Sequence, residues 1–267
     1  MRQMRRSALV ALRTRSANMR CAFCATYRHI RRPCHGRLRP RRGLRSGTVP
    51  SLDSNSSVLA HALETAQALG WAVLDATLSG CLAEAHDLGL DAVPTRPGYS
   101  AVTSLSAVER ERAHPASLSA TTGLGVMPLH TDGAYLREPP DFTLLEAVRV
   151  DPMEDTLLWH FSNSDVSDDA LHGVFAVSGR GAPFAAHAID SVGRIRFDPV
   201  CMRPRDRMAR RAASWLSERV EDAHRHSWAS RPGSVLVVDN RMTLHGRAAV
   251  TQGSSRELRR LMLAGRA

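Results

Sequence analysis

The 267-residue chain contains no lysine: all 36 of its basic residues are arginine. A basic surface selected for charge alone would mix the two side chains. An arginine-only chain rich in alanine, glycine and proline reads instead as translated GC-rich DNA, of bacterial type. No apolar run approaches the roughly 18 residues that a membrane-spanning helix needs. Nor is there a short apolar segment followed by a small-residue cleavage site, which speaks against secretion. Cysteine is scarce: Cys21, Cys24 and Cys34 lie near the start, and the body holds only Cys81 and Cys201. Two cysteines build no disulfide framework, so a reducing compartment, the cytoplasm, is expected.

Acidic residues are missing from positions 1–46, which carry fourteen arginines. The formal charge of +10 therefore belongs to this tail, and the remainder, which keeps all 26 acidic residues, is mildly acidic. A nucleic-acid-binding body is not indicated. Three readings of the tail stay open. It resembles a targeting segment in being arginine-rich and acid-poor. Cys21 and Cys24 with Cys34 and His35 have the ligand types of a small zinc site. The third reading is a disordered or wrongly annotated extension, with translation beginning near Val49. The lysine-free composition and abrupt charge change favour the third. Residues 47–56 read as a Ser/Gly/Asn-rich linker, and 47–267 as one domain of ordinary size.

From Ser57 the pattern changes. Val58, Leu59, Ala62, Leu63, Ala66 and Leu69 recur at helical spacing, and Gly70 is placed to end the helix. A strand is predicted over 71–74 and a second helix over 81–88. Residues 94–128, rich in proline and glycine, read mostly as loop, and long loops in compact domains are often functional. Strand-like runs then follow at intervals of about ten residues: 142–150, 156–161, 174–177, 184–189 and 195–197. One helix is predicted over 205–226, with Met208, Ala212, Trp215, Leu216, Val220 and Ala223 on one side. A buried strand at 235–238, a turn at 239–240, a segment at 243–245 and a last strand at 256–263 complete the chain. The expected fold is mainly β with flanking helices: a jelly roll, or double-stranded β-helix, of cupin-like type.

His130 and Asp132 stand two apart, so an extended backbone sends both side chains to one side. Alone this spacing is weak evidence for a metal. His245 follows a buried strand, and a jelly roll brings distant strands together. Two histidines and one carboxylate fill one face of an octahedral ion and leave three positions open, the ligand set of non-haem Fe(II) oxygenases. The last strand bears on those open positions. Arg256, Leu258, Arg260 and Met262 share one face; Glu257, Arg259, Leu261 and Leu263 share the other. Arginines beside apolar residues need a counter-charge, and no acidic residue is an obvious partner by position. A bound dicarboxylate would supply one, since guanidinium suits bidentate carboxylate binding; solvent at the strand end is the alternative.

The ordered pattern Pro128-Leu-His130-Thr-Asp132, Pro139-Pro-Asp-Phe142, Asp155-Thr156, Asn240 to His245-Gly-Arg247 and Arg256 to Arg260 resembles the taurine catabolism dioxygenase family. These are Fe(II)- and 2-oxoglutarate-dependent oxygenases, and the resemblance spans about residues 57–263. It implies that His130, Asp132 and His245 bind Fe(II), and that Thr156 and Arg256 hold the C5 carboxylate of 2-oxoglutarate. Arg260 matches a second arginine, near the C1 carboxylate or an anionic substrate. Related halogenases lack the carboxylate ligand, so Asp132 implies hydroxylation or a similar oxidation. The stretch between Asp132 and His245 is shorter than in many members, which touches the insert that encloses substrate and any oligomeric contacts. The expected partner is a small molecule, amino-acid-like or a natural-product intermediate, free or carrier-bound, with no nucleic acid and no membrane. Tyr99, Arg137 and Asp198 are the candidate substrate contacts; Asp198 could hold an amine or guanidine, or serve only as a turn residue. The competing reading, a cupin-like metal-binding protein that is not an oxygenase, explains the three metal ligands but not Thr156 and Arg256.

Overall fold

A computed structural model describes residues 57–115, 117–149, 155–162, 166–179, 181–228 and 231–266. The Arg-rich tail with its cysteines, and the linker through residue 56, lie outside the described residues.

The described residues open with helix α1 (Val58–Leu69), capped by the Ser57 hydroxyl, which accepts from the Ala60 N–H. It stops at Gly70, whose N–H donates to the Ala66 carbonyl and whose φ of 94° turns the chain out of the helix. A Cβ at Gly70 would also lie 2.6 Å from the His160 ring. Strand β1 (Trp71–Asp75) and helix α2 (Leu78–Asp87) follow, then β2 (Leu90–Ala92), β3 (Val102–Ser106) and β4 (Met127–His130). After β4 come β5 (Phe142–Arg149), β6 (Thr156–His160), a short helix (Asp168–His172), β7 (Phe175–Val177), β8 (Phe184–Ala186) and β9 (Met202–Pro204). A long amphipathic helix (Arg207–Glu218), β10 (His224–His226), β11 (Ser234–Asp239), β12 (Thr243–Arg247) and β13 (Glu257–Gly265) close the chain.

These strands make two principal antiparallel sheets. The larger runs β1-β11-β5-β13-β2, with β3 also on β13; the smaller runs β10-β6-β12-β4. A third sheet, β8-β7-β9, flanks them. Side-chain alternation assigns the layers. Leu145, Ala147, Leu236, Val238 and Leu258 of the large sheet meet Leu158 and Trp228 between the sheets. Leu144, Val235, Val237, Leu261 and Leu263 point the other way, against α1 and α2. Strand β11 is covered on both faces, which explains its unbroken apolar run. Outside the small sheet, Leu157, Trp159 and Leu244 pack against the long helix through Ala209, Ala212 and Leu216. That helix is capped by Asp206, whose carboxylate accepts from the Ala209 N–H at 2.7 Å and the Val174 N–H at 2.9 Å.

The jelly-roll expectation is met, and the two apolar runs at 58–69 and 235–238 fall where the pattern put them. The stretch 94–128 is mostly loop, as expected, although it also supplies β3 and the start of β4. Three details differ. The helix predicted to 226 ends at Glu218, although Val220 and Ala223 keep helical spacing; residues 224–226 instead pair with the open edge of β6. Residues 195–197 form no strand, only a bridge from Ile195 to Ile189. The run at 184–189 is a strand only to Ala186. All the described residues fall in one compact unit, and no helix among them is long and apolar enough to cross a membrane.

Candidate metal centre and co-substrate site

Register puts the metal-ligand candidates side by side. His245 on β12 lies directly opposite His130 on β4, and opposite Leu158 on its other neighbour, β6. The approach of β4 to β12 depends on Gly246, where a Cβ would sit 2.6 Å from the Met127 carbonyl. The two imidazole centroids are 4.5 Å apart. Asp132 completes the group: its Oδ2 lies 3.4 Å from His245 Nε2, and its Oδ1 3.9 Å from His130 Nε2. All three side chains are buried, and their donor atoms lie within 4.8 Å of one another.

The donor chemistry fits a divalent first-row ion. Metal–ligand bonds of about 2.1 Å would set donors on one octahedral face about 3 Å apart, slightly closer than they stand here. His130 Nδ1 lies 3.1 Å from the Pro128 carbonyl, an acceptor that requires the proton on Nδ1 and leaves the Nε2 lone pair for a metal. Burial, helped by the adjacent His245, pushes the His130 pKa from 6.5 down to about 4, so the ring is neutral at pH 7. Burial opposes ionisation of Asp132. The Arg260 guanidinium, with the hydrogen bond and charge of His245 and the charge of His130, outweighs it and holds the carboxyl well below the usual carboxylate range.

Asp132 is held from several sides. Arg260 Nη1 donates to its Oδ1, and the Thr143 hydroxyl donates to its Oδ2 at 3.2 Å. Asn240 clamps the backbone: its Oδ1 accepts from the Asp132 N–H at 2.9 Å, and its Nδ2 donates to the Asp132 and Pro140 carbonyls at 3.0 and 2.9 Å. Asn240 is therefore more than the turn residue its sequence context suggests. Replacing it with alanine would strand these buried groups, and we expect a stability loss of about 2–4 kcal/mol with weaker metal binding. Urea unfolding and a metal titration measure the two effects; unchanged metal affinity would show that the clamp does not position Asp132.

The titrations of this cluster also set a pH dependence. His130 has a folded pKa below its unfolded value, so protons favour the unfolded chain. Its contribution to stability is complete above about pH 6.5 and is lost as pH falls towards 4. Asp132, also depressed, adds a loss that starts near its unfolded value of 3.8 and grows at lower pH. The metal-free protein should become less stable from pH 7 to 4.5, and His130→Gln should flatten that dependence. Urea midpoints at three pH values in this window provide the check.

The last strand alternates as expected. Arg260 points inward to Asp132, a partner 128 residues away, so the expectation that no acidic residue answers the arginines is corrected for this one. Its neighbour Arg259 points outward, 3.8 Å from Glu146. Arg256, just before β13, is also buried, and its Nη2 lies 3.4 Å from the Thr156 hydroxyl. Thr156 and Leu158, two apart on β6, share the face that carries His245 across the register.

The substrate candidates separate. Tyr99 is 63% exposed, its ring beneath the Arg96 guanidinium. Arg137 is exposed and stacks on Phe184. Neither touches the three metal-ligand candidates. Asp198 comes to the site because Thr131 pins its neighbour: the Thr131 N–H donates to the Phe197 carbonyl at 2.7 Å, and the Phe197 N–H to the Thr131 hydroxyl at 3.2 Å. The Asp198 charge consequently acts on His130. Its Oδ1 also accepts from the Val200 and Cys201 N–H groups, so the turn role is real as well. Sequence reasoning missed Thr143 and Trp228, which carry no local motif.

A buried face of two histidines and one carboxylate on a double-stranded β-helix is thus the class of site this chain builds. A family model described as taurine catabolism dioxygenase TauD, TfdA family matches residues 185–262, the part holding His245, Arg256 and Arg260. Among solved structures, an asparagine oxygenase in complex with Fe(II), 2S,3S-3-hydroxyasparagine and succinate aligns with a TM-score of 0.59 at 20% identity, over 76% of this chain and 77% of that one. The non-haem iron oxygenase OrfP in complex with Fe and alpha-ketoglutaric acid aligns with a TM-score of 0.59 at 17% identity, over 78% and 80% of the two chains. At such identities these likenesses establish the fold. No curated protein matches the chain.

Proposed function

We propose that residues 47–267 form an Fe(II)- and 2-oxoglutarate-dependent dioxygenase that oxidises a C–H bond of a small, amino-acid-like molecule. One observation carries this reading. The buried face of His130, Asp132 and His245 shares the space between the sheets with a second buried pair, Thr156 and Arg256, which a metal alone does not require. Arg260, on the inner face of β13, and Arg256, just before that strand, stand four residues apart, one at the Asp132 carboxylate and one at Thr156. That spacing suits a ligand with a chelating end and a distal carboxylate.

Fe(II) with 2-oxoglutarate supplies oxidative chemistry: dioxygen is reduced, 2-oxoglutarate becomes succinate and CO2, and a substrate C–H bond is oxidised. The residues supply placement. His130 and His245 would present ring nitrogens to the metal. Asp132 stays ionised and, by occupying its coordination position, directs the outcome to hydroxylation rather than halogenation. Arg256 and Thr156 take the distal carboxylate. Asp198, brought beside His130, offers a counter-charge for an amine or guanidinium, which suits a free or carrier-bound amino acid. The asparagine oxygenase, and the OrfP structure holding (3S)-hydroxy-L-Arg, are solved with amino-acid ligands.

The test is anaerobic binding of 2-oxoglutarate to the Fe(II)-loaded protein, followed by succinate release with free and carrier-bound amino acids and small sulfonates. Absence of 2-oxoglutarate binding overturns the proposal, while iron binding alone would leave a cupin-like metal protein.

A further inference from the structure

The Thr156 hydroxyl has one proton to give and two lone pairs to receive. Both lone pairs face donors that cannot accept. Trp228 Nε1–H donates to it at 2.9 Å, and Arg256 Nη2 lies 3.4 Å away. An indole and a guanidinium have no acceptor to offer, so the Thr156 proton is directed to a third group. Among the described residues it has no acceptor in hydrogen-bond contact. An O–H donor held beside a guanidinium is a carboxylate-binding pair.

Trp228 is itself fixed. It is 5% exposed, and it packs with Leu145, Ala147, Leu158, Leu236, Val238 and Leu258 between the sheets. Its backbone N–H donates to His226 Nδ1 at 3.0 Å, and its carbonyl accepts from the Ser234 hydroxyl at 3.2 Å. His226 lies opposite Thr156 in the β10–β6 register, which places Trp228 just beyond the threonine.

We infer that Trp228 is a positioning residue for the co-substrate: its indole N–H fixes the Thr156 hydroxyl as a donor to the distal carboxylate of the bound 2-oxo acid. This rests on the dioxygenase reading above. The role acts only through that carboxylate, so a 2-oxo acid lacking it provides the internal control.

The experiment is anaerobic titration calorimetry of the Fe(II)-loaded full chain with 2-oxoglutarate and with 2-oxopentanoate. Trp228→Phe keeps the packing ring and removes the N–H. It should raise the 2-oxoglutarate Kd by roughly tenfold and leave 2-oxopentanoate and iron binding within about twofold. In a Thr156→Val background the same change should add no further loss. Equal weakening of both 2-oxo acids would make Trp228 structural only and overturn the inference, as would an unchanged 2-oxoglutarate Kd. Should Trp228→Phe not fold, the indole N–H resonance of Trp228 in the Zn(II)-loaded wild-type protein decides: it should shift with 2-oxoglutarate and not with 2-oxopentanoate, and any other pattern overturns the inference. Failure of the wild-type protein to bind 2-oxoglutarate would instead remove the dioxygenase reading on which it rests.

Discussion

His130→Ala and His245→Ala each abolish Fe(II) binding and succinate formation, whereas His172→Ala, at an exposed position, changes neither. This is the largest effect expected for the chain. Removing a group that merely orients a metal ligand typically lowers metal affinity about 10–100-fold, and losing the ligand itself exceeds that. The geometry leaves no substitute, because the three candidate side chains form the only such cluster among the described residues. Fold and function should also separate cleanly. His245 Nδ1 has no hydrogen-bond partner, so truncating His245 strands no partner at that nitrogen. Retained metal affinity in both variants, measured by titration with Fe(II) under anaerobic conditions, would rule out this centre.

Arg256→Ala raises the Kd for 2-oxoglutarate by about 100-fold while iron binding persists. A charge-assisted hydrogen bond to a carboxylate contributes about 1.5–3 kcal/mol, and Arg256 offers a planar, bidentate donor set in a buried setting. Its guanidinium lies 3.4 Å from the Thr156 hydroxyl, which is not one of the three metal-ligand candidates, so the metal face should survive. Discrimination between 2-oxoglutarate and 2-oxopentanoate should collapse in the same variant, because the loss falls on the distal carboxylate alone. Calorimetry with both ligands measures it. Equal loss of iron and 2-oxoglutarate would mean that Arg256 supports the fold instead.

Much of this site was legible in the linear chain because it is written in short spacings. The two-residue step from His130 to Asp132 and the inward alternation of Leu258, Arg260 and Met262 follow from the period of a strand. Helix α1 and the buried strand β11 were legible for a similar reason: the buried residues of α1 recur at helical spacing, and every residue of β11 is buried. The short strands were not. β2 and β10 have three residues each, and the latter reads His-Arg-His. They become strands because an open sheet edge offers unpaired backbone groups, a condition absent from their own sequence.

What the sequence by itself determined is the chemistry available: a histidine–carboxylate pair, a distal histidine, a threonine and two arginines in an order similar to one family. The tertiary structure alone decided which of these meet. It set His245 against His130, gave Arg260 to Asp132 across 128 residues, drew Asp198 in through Thr131 and left Tyr99 and Arg137 outside. It also placed Trp228 and Asn240 behind the ligating and binding groups. The physical reason is that local sequence specifies backbone period and side-chain type, whereas contact between distant residues depends on sheet register, and register is settled only when both faces of each sheet are packed.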